Sequence, residues 1–175
     1  MNEILDAMKY RRSIRSFKPD MPEKKLIEEI IEAGLFAPSG MGRQPTVILA
    51  VTDKEERDRI MEANRKIGGW DEGFDPFYGA PVILIVLARK EVSTRIYDGS
   101  LVMGNLMLGA YSLGLGSIWI HRAKEEFETA EFQALLKKYG IEGEWEGIGH
   151  CAVGYVKDAP EPAAERKENR VFWIE

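Results

Sequence analysis

The residues best suited to chemistry form one short basic cluster near the start of the chain. Arg11, Arg12 and Arg15 fall within five positions, and Ser13 and Ser16 accompany them. An arginine guanidinium is a planar fork of donors that matches phosphate oxygens two at a time, and a serine hydroxyl adds a neutral donor. The cluster predicts a site for one small anionic ligand. From these residues alone, a solvated basic turn with nothing bound stays open as the alternative, because short basic runs are common.

The composition is typical of a soluble globular protein. The chain has 175 residues, 45% of them apolar and 30% charged, so we expect one domain over 1–175. A single cysteine excludes an intramolecular disulfide and a cysteine-based zinc site, and two histidines without metal-ligand spacing make a histidine site unexpected. The net charge of −5 argues against nucleic acid and anionic membrane as partners. No secretion signal is recognisable at the start, so we expect a cytoplasmic protein.

A long uncharged segment over 99–120 has to be weighed as a membrane span. Gly114 and Gly116 indicate that a helix ends there, which leaves about 15 residues, too few to cross a bilayer. An apolar helix in a globular protein is buried on every side. The segment therefore predicts a helix whose outer face is covered by a second subunit, and no membrane partner.

Helical and strand patterns alternate along the rest of the chain. Helices are predicted over 2–9, 22–37, 54–66, 97–113 and 125–139, and strands over 46–52, 82–88, 117–120 and 148–156. Such mixing indicates an α/β or α+β protein with one sheet packed on both faces. The runs over 46–52 and 82–88 are apolar on both sides, so we expect both strands at central positions.

Two apolar segments lie outside this pattern. The loop over 68–79 carries Trp70, Phe74, Phe77 and Tyr78, which could form a lid over a ligand or a hydrophobic plug under the loop. The apolar stretch over 171–174 closes the chain, and we expect it to dock on protein because it would promote aggregation if left in water.

Four features in one order carry a family resemblance. They are the basic cluster over 11–17, the APSGMGRQP loop over 37–45, the glycine-broken helix that leads into the strand over 117–120, and Gly154-Tyr155 followed by Arg166-Lys167. Together they closely resemble the nitroreductase family of FMN-dependent oxidoreductases, over nearly the whole chain.

The resemblance implies a fold, a cofactor and an assembly. The fold would be α+β, a three-layer α/β/α sandwich with a central mixed sheet of four to five strands. The protein would be a homodimer with FMN at the subunit interface, reduced by NADH or NADPH in ping-pong turnover. FMN contacts are then expected from these residues: at the phosphate Arg11, Arg12, Ser13, Arg15, Arg166 and Lys167; from the partner's loop Pro38, Ser39, Gly42 and Gln44; beside the ring Ile120 and His121.

The expected chemistry belongs to the flavin. The backbone N–H near His121 would face flavin N5, and no side-chain nucleophile or general base is implied, because the cofactor carries the hydride. Gly42 departs from the family, which usually has asparagine there, and puts the polar contacts of the ring in question. The His121 side chain could donate a proton or be a plain surface residue. We expect Cys151 to be a small buried core residue.

Several functions remain open from the sequence. The first is an FMN- and NAD(P)H-dependent reductase of nitroaromatics, quinones or similar small acceptors. The second is a flavin carrier or sensor with little turnover. The third is reductive dehalogenation or flavin fragmentation on the same fold. The last is an unrelated anion-binding module, which would make the four motifs a coincidence.

Overall fold

A computed structural model of the protein describes residues 2–175. Six helices and four strands follow one another along the chain. The helices are α1 (Glu3–Tyr10), α2 (Lys24–Leu35), α3 (Lys54–Gly68), α4 (Arg95–Ser112), α5 (Ala123–Phe127) and α6 (Ala130–Lys138); the strands are β1 (Thr46–Val51), β2 (Val82–Arg89), β3 (Gly116–Ile120) and β4 (Trp145–Gly154). A single 3₁₀ turn lies at Gly40–Gly42. The prediction of an α+β fold is confirmed.

The four strands form one sheet in the order β1-β2-β4-β3. All three strand pairs are antiparallel, so the predicted mixed pairing is wrong for these strands, and a parallel contact occurs as the isolated bridge between Ser13 and Ser117. The central position predicted for 82–88 is correct. The same prediction for 46–52 is wrong, because β1 is an edge strand and its residues stay partly exposed. Apolar residues on both faces do not by themselves report what lies beside a strand.

Helices cover both faces of the sheet, which gives the three predicted layers. One core cluster joins the sheet to α3, α5 and α6, and a second joins it to α2 and α4. The helix predicted over 125–139 is two helices, because Thr129 leaves helical geometry and its hydroxyl accepts the N–H of Phe132 at the start of α6.

Helix α4 carries the uncharged segment of the sequence. One side packs on the sheet through buried Val102, Met103 and Leu106. The other side leaves Tyr97 and Leu101 in solvent, so α4 is not buried all round within one chain. Among the described residues, no helix is long and apolar enough to cross a bilayer.

Candidate active site

The basic cluster opens into a cleft of about 880 Å³. Arg11, Arg12, Ser13 and Arg15 all line it, together with Arg166 from the C-terminal segment. The structure therefore brings together five of the six residues predicted at a phosphate. Lys167 is exposed and does not line the cleft.

The edge of the sheet fixes the loop that carries this cluster. The N–H of Ile14 donates to the carbonyl of Ser117 in β3 at 3.1 Å, and the N–H of Lys18 donates to the carbonyl of Tyr155 at 2.9 Å. The side chains of Ile14 and Phe17 are buried in the core between these two points. Two backbone hydrogen bonds and two buried apolar side chains thus hold a loop whose arginine side chains would otherwise repel one another.

Arg11 lacks a partner that its burial requires. Its Nη1 atom is buried and has no hydrogen bond to the described residues. Burial, and then the positive charge of Arg12, lower the pKa of Arg11. A buried guanidinium nitrogen without an acceptor is costly, and an anion in the cleft would satisfy it. The residues present thus fit a phosphate group.

Other polar residues of the cleft already form hydrogen bonds within the protein. Arg12 donates from Nη1 to the carbonyls of Lys9 and Arg11, each at 2.7 Å, and so satisfies the C-terminal end of α1. The Ser16 hydroxyl donates to the carboxylate of Asp158. Arg166 donates to the carbonyl of Ala164 at 2.7 Å. Of these contacts, the one between Ser16 and Asp158 ties the C-terminal segment to the loop of the basic cluster.

The far end of β3 presents backbone donors along the open edge of the sheet. In an antiparallel strand the N–H and C=O of one residue point to the same side, and the side alternates along the chain. The carbonyl of Ser117 points outward to Ile14. The backbone N–H and C=O of Trp119 therefore also point outward, and those of Ile120 point toward β4. Because the peptide unit is planar and trans, the N–H of His121 points away from the carbonyl of Ile120 and out of the sheet.

A buried polar network supports this turn from below. His150 Nδ1 lies 3.3 Å from the carbonyl oxygen of Ile120, and His150 Nε2 lies 2.7 Å from Glu126 Oε2. The amide of Asn64 donates to Glu126 Oε1 at 2.7 Å and to the carbonyl of His121 at 2.8 Å. Both carbonyls of the turn therefore have buried donors. The sequence did not single out Asn64, Glu126 or His150 for this role.

Unsatisfied polar atoms collect at the same turn. The Nε1 of Trp119, the Nε of Arg122 and the Oδ1 of Asn64 are buried without a partner among the described residues. The His121 side chain is exposed, and its ring lies 5.8 Å from the ring of Trp119. The unpartnered guanidinium nitrogen of Arg11 lies near one end of β3, and these three atoms lie near the other.

The APSGMGRQP loop is built rigidly but away from the cleft of its own chain. The carboxylate of Asp98 accepts the N–H of Gly40 at 2.9 Å, and the hydroxyl of Ser39 accepts the N–H of Gln44 at 2.9 Å. Pro38, Ser39, Gly42 and Gln44 do not line the basic cleft. The structure therefore does not bring them to the phosphate residues of the same chain.

The backbone conformation of Gly42 explains why a glycine fits at this position. Its φ is 66°, in the left-handed region, and a Cβ built there would meet nothing within 4 Å. Glycine adopts this region freely, and asparagine is among the side-chain residues that tolerate it best. The substitution of glycine for the usual asparagine thus preserves the backbone of the loop and removes only the amide.

The loop over 68–79 buries one of its aromatic rings in the core and leaves others partly exposed. Phe77 is fully buried and its ring lies 5.3 Å from the ring of His150, so Phe77 belongs to the core. Arg57 holds this half of the loop by pairing with Asp75. The rings of Trp70 and Phe74 are tilted against each other with their centroids 5.4 Å apart, and both remain partly exposed.

Comparison with known proteins decides the family. The family model described as the nitroreductase family matches residues 8–155. The chain belongs to the nitroreductase family. The match contains the basic cluster, the APSGMGRQP loop and β3 with its turn. The sequence-based prediction of the family is confirmed.

Several other proteins resemble this chain in sequence. Two archaeal proteins are described as putative NADH dehydrogenase/NAD(P)H nitroreductase. The one from Methanothermobacter thermautotrophicus is 29% identical over 67% of this chain and 60% of its own length, and the one from Archaeoglobus fulgidus is 29% identical over 90% and 88%. The FMN reductase [NAD(P)H] of Bacillus subtilis is 27% identical over 87% of this chain and 67% of its own.

A solved structure extends the likeness to the whole fold. The nitroreductase with bound FMN from Bacteroides fragilis superposes with a TM-score of 0.88 at 27% identity, and the match covers 100% of both chains. The C-terminal segment that follows the family match is therefore part of the shared architecture.

Proposed function

We propose that this protein passes electrons from NADH or NADPH, through FMN, to a small organic acceptor such as a nitroaromatic or a quinone. The observation that carries the proposal is the buried, unpartnered guanidinium nitrogen of Arg11 in a basic cleft. That cleft lies at one end of a strand whose other end carries an outward N–H at His121.

The cofactors are the better-supported part of this function. Family membership, the FMN reductase [NAD(P)H] relative and the FMN-bound structural neighbour support an FMN-dependent NAD(P)H oxidoreductase. The predictions of FMN as cofactor and NAD(P)H as reductant are confirmed at that level. The acceptor remains a proposal.

At the phosphate end, the chain contributes charge and enclosure. Arg11, Arg12 and Arg15 would offset the charge of a phosphate dianion, and the hydroxyl of Ser13 would donate to it. The C-terminal segment that carries Arg166 lies over the cleft and reduces its contact with water. A charge-assisted contact strengthens as water is excluded.

At the ring end, the chain contributes orientation. When bound, FMN supplies the hydride chemistry. The His121 N–H would donate to the ring edge, held outward by the buried contacts of Ile120 and His121 to His150 and Asn64. No side chain needs to act as a nucleophile, and the chain's task is to hold donors still and to keep the ring between apolar walls.

The proposed assembly is a homodimer with the site between its subunits. Three features of the single chain support it: the apolar side of α4 faces solvent, the APSGMGRQP loop stands away from its own cleft, and the apolar residues over 171–174 are exposed. In the proposed dimer a second copy covers this side of α4, and its APSGMGRQP loop contributes to the site.

One experiment tests the proposed function directly. The protein is purified without added flavin, its visible spectrum is recorded, and NADH or NADPH is added under nitrogen. Yellow protein that bleaches with either nucleotide and recovers with a nitroaromatic or quinone supports the proposal. Yellow protein that never bleaches indicates the flavin carrier, and protein that takes up no FMN contradicts any flavin function.

A further inference from the structure

The most unusual buried group in the protein is the pair formed by Glu126 and His150. Neither residue has any exposed surface. Glu126 comes from α5 and His150 from β4, and the amide of Asn64 in α3 completes the network. The ring of Phe77 packs against His150 and is the remaining close neighbour from the loop over 68–79. No other charged side chain hydrogen-bonds to the pair within the described residues.

The hydrogen-bonding pattern fixes where the proton of this pair lies. The ring of His150 faces an acceptor at each nitrogen, the carboxylate of Glu126 at Nε2 and the carbonyl of Ile120 at Nδ1. A carbonyl oxygen cannot donate. We assign a hydrogen to Nδ1, because only that tautomer makes both contacts hydrogen bonds, and the second proton then lies between Nε2 and the carboxylate. In either arrangement of that second proton, His150 donates to Ile120.

This contact acts on the peptide unit that presents the His121 N–H. The carbonyl of Ile120 and the N–H of His121 belong to the same planar group. A donor at the oxygen draws electron density toward it and makes the N–H on the opposite side a stronger donor. The amide of Asn64 holds the next carbonyl, that of His121, at 2.8 Å. The direction and the strength of the outward N–H are thus both set from the buried side.

We propose that His150, oriented by Glu126, is a positioning residue that polarises the Ile120–His121 peptide and thereby sets the relative affinity of the protein for oxidised and reduced FMN. The proposal rests on the proposed function, because it takes the ring of FMN as the acceptor of the His121 N–H. Oxidised FMN has a free lone pair at N5, whereas reduced FMN carries a hydrogen there. A weaker His121 N–H therefore costs the oxidised complex more.

Two variants at one position separate the two contacts of His150. Both are made in the Glu126→Gln background, where the introduced amide can accept from Asn64 and donate to position 150, so no buried charge is left unpaired. His150→Asn places an amide nitrogen where Nδ1 was and keeps the donor to Ile120. His150→Gln places an amide oxygen where Nε2 was, which accepts from the amide of the Glu126→Gln side chain, and loses the donor to Ile120.

The midpoint potential of bound FMN and the dissociation constant of oxidised FMN are measured for each protein. We expect His150→Gln to weaken oxidised FMN relative to reduced FMN by about threefold to tenfold, equivalent to a rise of about 15 to 30 mV for a two-electron couple. We expect His150→Asn to stay close to its Glu126→Gln parent. A purely structural role would move the melting temperature of both variants and the potential of neither.

A measurement on the flavin-free protein tests the proposal even if a variant no longer binds FMN. The ¹H shift of the His121 amide in the flavin-free protein reports its polarisation directly. It should move upfield in His150→Gln and be restored in His150→Asn. Glu146→Gln is the control, because Glu146 is also buried on β4 but pairs with Arg95 at 2.7 Å, away from the turn.

The outcomes separate this inference from the proposed function. If the unmodified protein binds no FMN, the proposed function is wrong. If it binds FMN, and both variants match their parent in potential and in the His121 amide shift, the function stands and the role of His150 is overturned. A potential that shifts equally in both variants and in Glu146→Gln would also overturn it.

Discussion

The carboxylate of Asp98 in α4 accepts the backbone N–H of Gly40 at 2.9 Å, and only 3% of the surface of Asp98 is exposed. Its second oxygen accepts the hydroxyl of Thr94 at 2.7 Å. One buried side chain thus joins α4 to the APSGMGRQP loop. The loop contains left-handed residues at Met41, Gly42 and Gln44, so it depends on such an anchor to keep one conformation.

Replacement of Asp98 should loosen this loop and destabilise the fold. In Asp98→Ala the N–H of Gly40 and the hydroxyl of Thr94 lose their buried acceptor, so we expect the free energy of unfolding to fall by about 1–3 kcal/mol. Urea denaturation measures this. If the loop reaches the flavin from the partner, the affinity for FMN falls as well.

Asp98→Asn is the matched control for this change. The asparagine oxygen can still accept the N–H of Gly40, and the Thr94 hydroxyl can rotate, so we expect a smaller loss than in Asp98→Ala. Equal stability of both variants and the unmodified protein would show that the anchor contributes nothing.

The phosphate site can be tested at Arg11. We expect Arg11→Ala to weaken FMN binding by about tenfold to a hundredfold, because a charge-assisted hydrogen bond in a partly buried site is lost. Fluorescence titration of the flavin measures the dissociation constant. The titration should use riboflavin in parallel, which lacks the phosphate and should bind both proteins equally.

Removal of a positively charged side chain far from the cleft is the control for the change in net charge. Lys24→Ala removes one positive charge from the exposed side of α2 and should leave the FMN dissociation constant within about twofold. An FMN affinity that is the same in Arg11→Ala as in the unmodified protein would refute the assignment of the phosphate to this cleft.

The apolar side of α4 gives a prediction about assembly. If a second subunit covers this face, Leu101→Glu buries a charge without a partner, and we expect the dimer dissociation constant to rise by about tenfold or more. Sedimentation velocity over a concentration series measures it. FMN binding should weaken in parallel, because part of the proposed site comes from the partner.

Met21→Glu is a matched control for that surface change. Leu101 and Met21 are both 47% exposed in the single chain, but Met21 precedes α2 and lines a separate groove with Thr52 and Lys54. We expect Met21→Glu to leave the sedimentation of the protein unchanged. A monomeric unmodified protein at micromolar concentration would disprove the interface itself.

The fold was predictable where the local pattern and the tertiary environment agree. The run over 82–88 is apolar at every position, and β2 is accordingly buried at the centre of the sheet. The run over 46–52 has the same character and lies at an edge, because an apolar pattern reports burial of side chains and not the identity of the neighbouring strand. The break at Thr129 was missed because a cap residue also fits within a helix on its exposed side.

The site was predictable where its residues are contiguous. Arg11 to Arg15 could be recognised because the whole cluster lies on one loop. Asn64, Glu126 and His150 meet through the packing of α3 against α5 and of α5 against β4, and no sequence spacing reports that meeting. Asp98 had a usable signal, since it is the one charged residue between positions 96 and 112.

The buried thiol of Cys151 gives a pH dependence with a definite sign. Burial raises the pKa of Cys151 to about 12, against an ordinary value of 9.0, and the positive charge of Arg11 opposes this shift only in part. The folded protein therefore keeps the thiol protonated where the unfolded chain ionises it. We expect this contribution to stability to be complete below pH 9 and to be lost progressively between pH 9 and about 12. Urea denaturation across that range, compared with Cys151→Ala, isolates the effect from other titrating groups. The variant should lose stability less steeply with rising pH, and parallel curves for the two proteins would contradict the raised pKa.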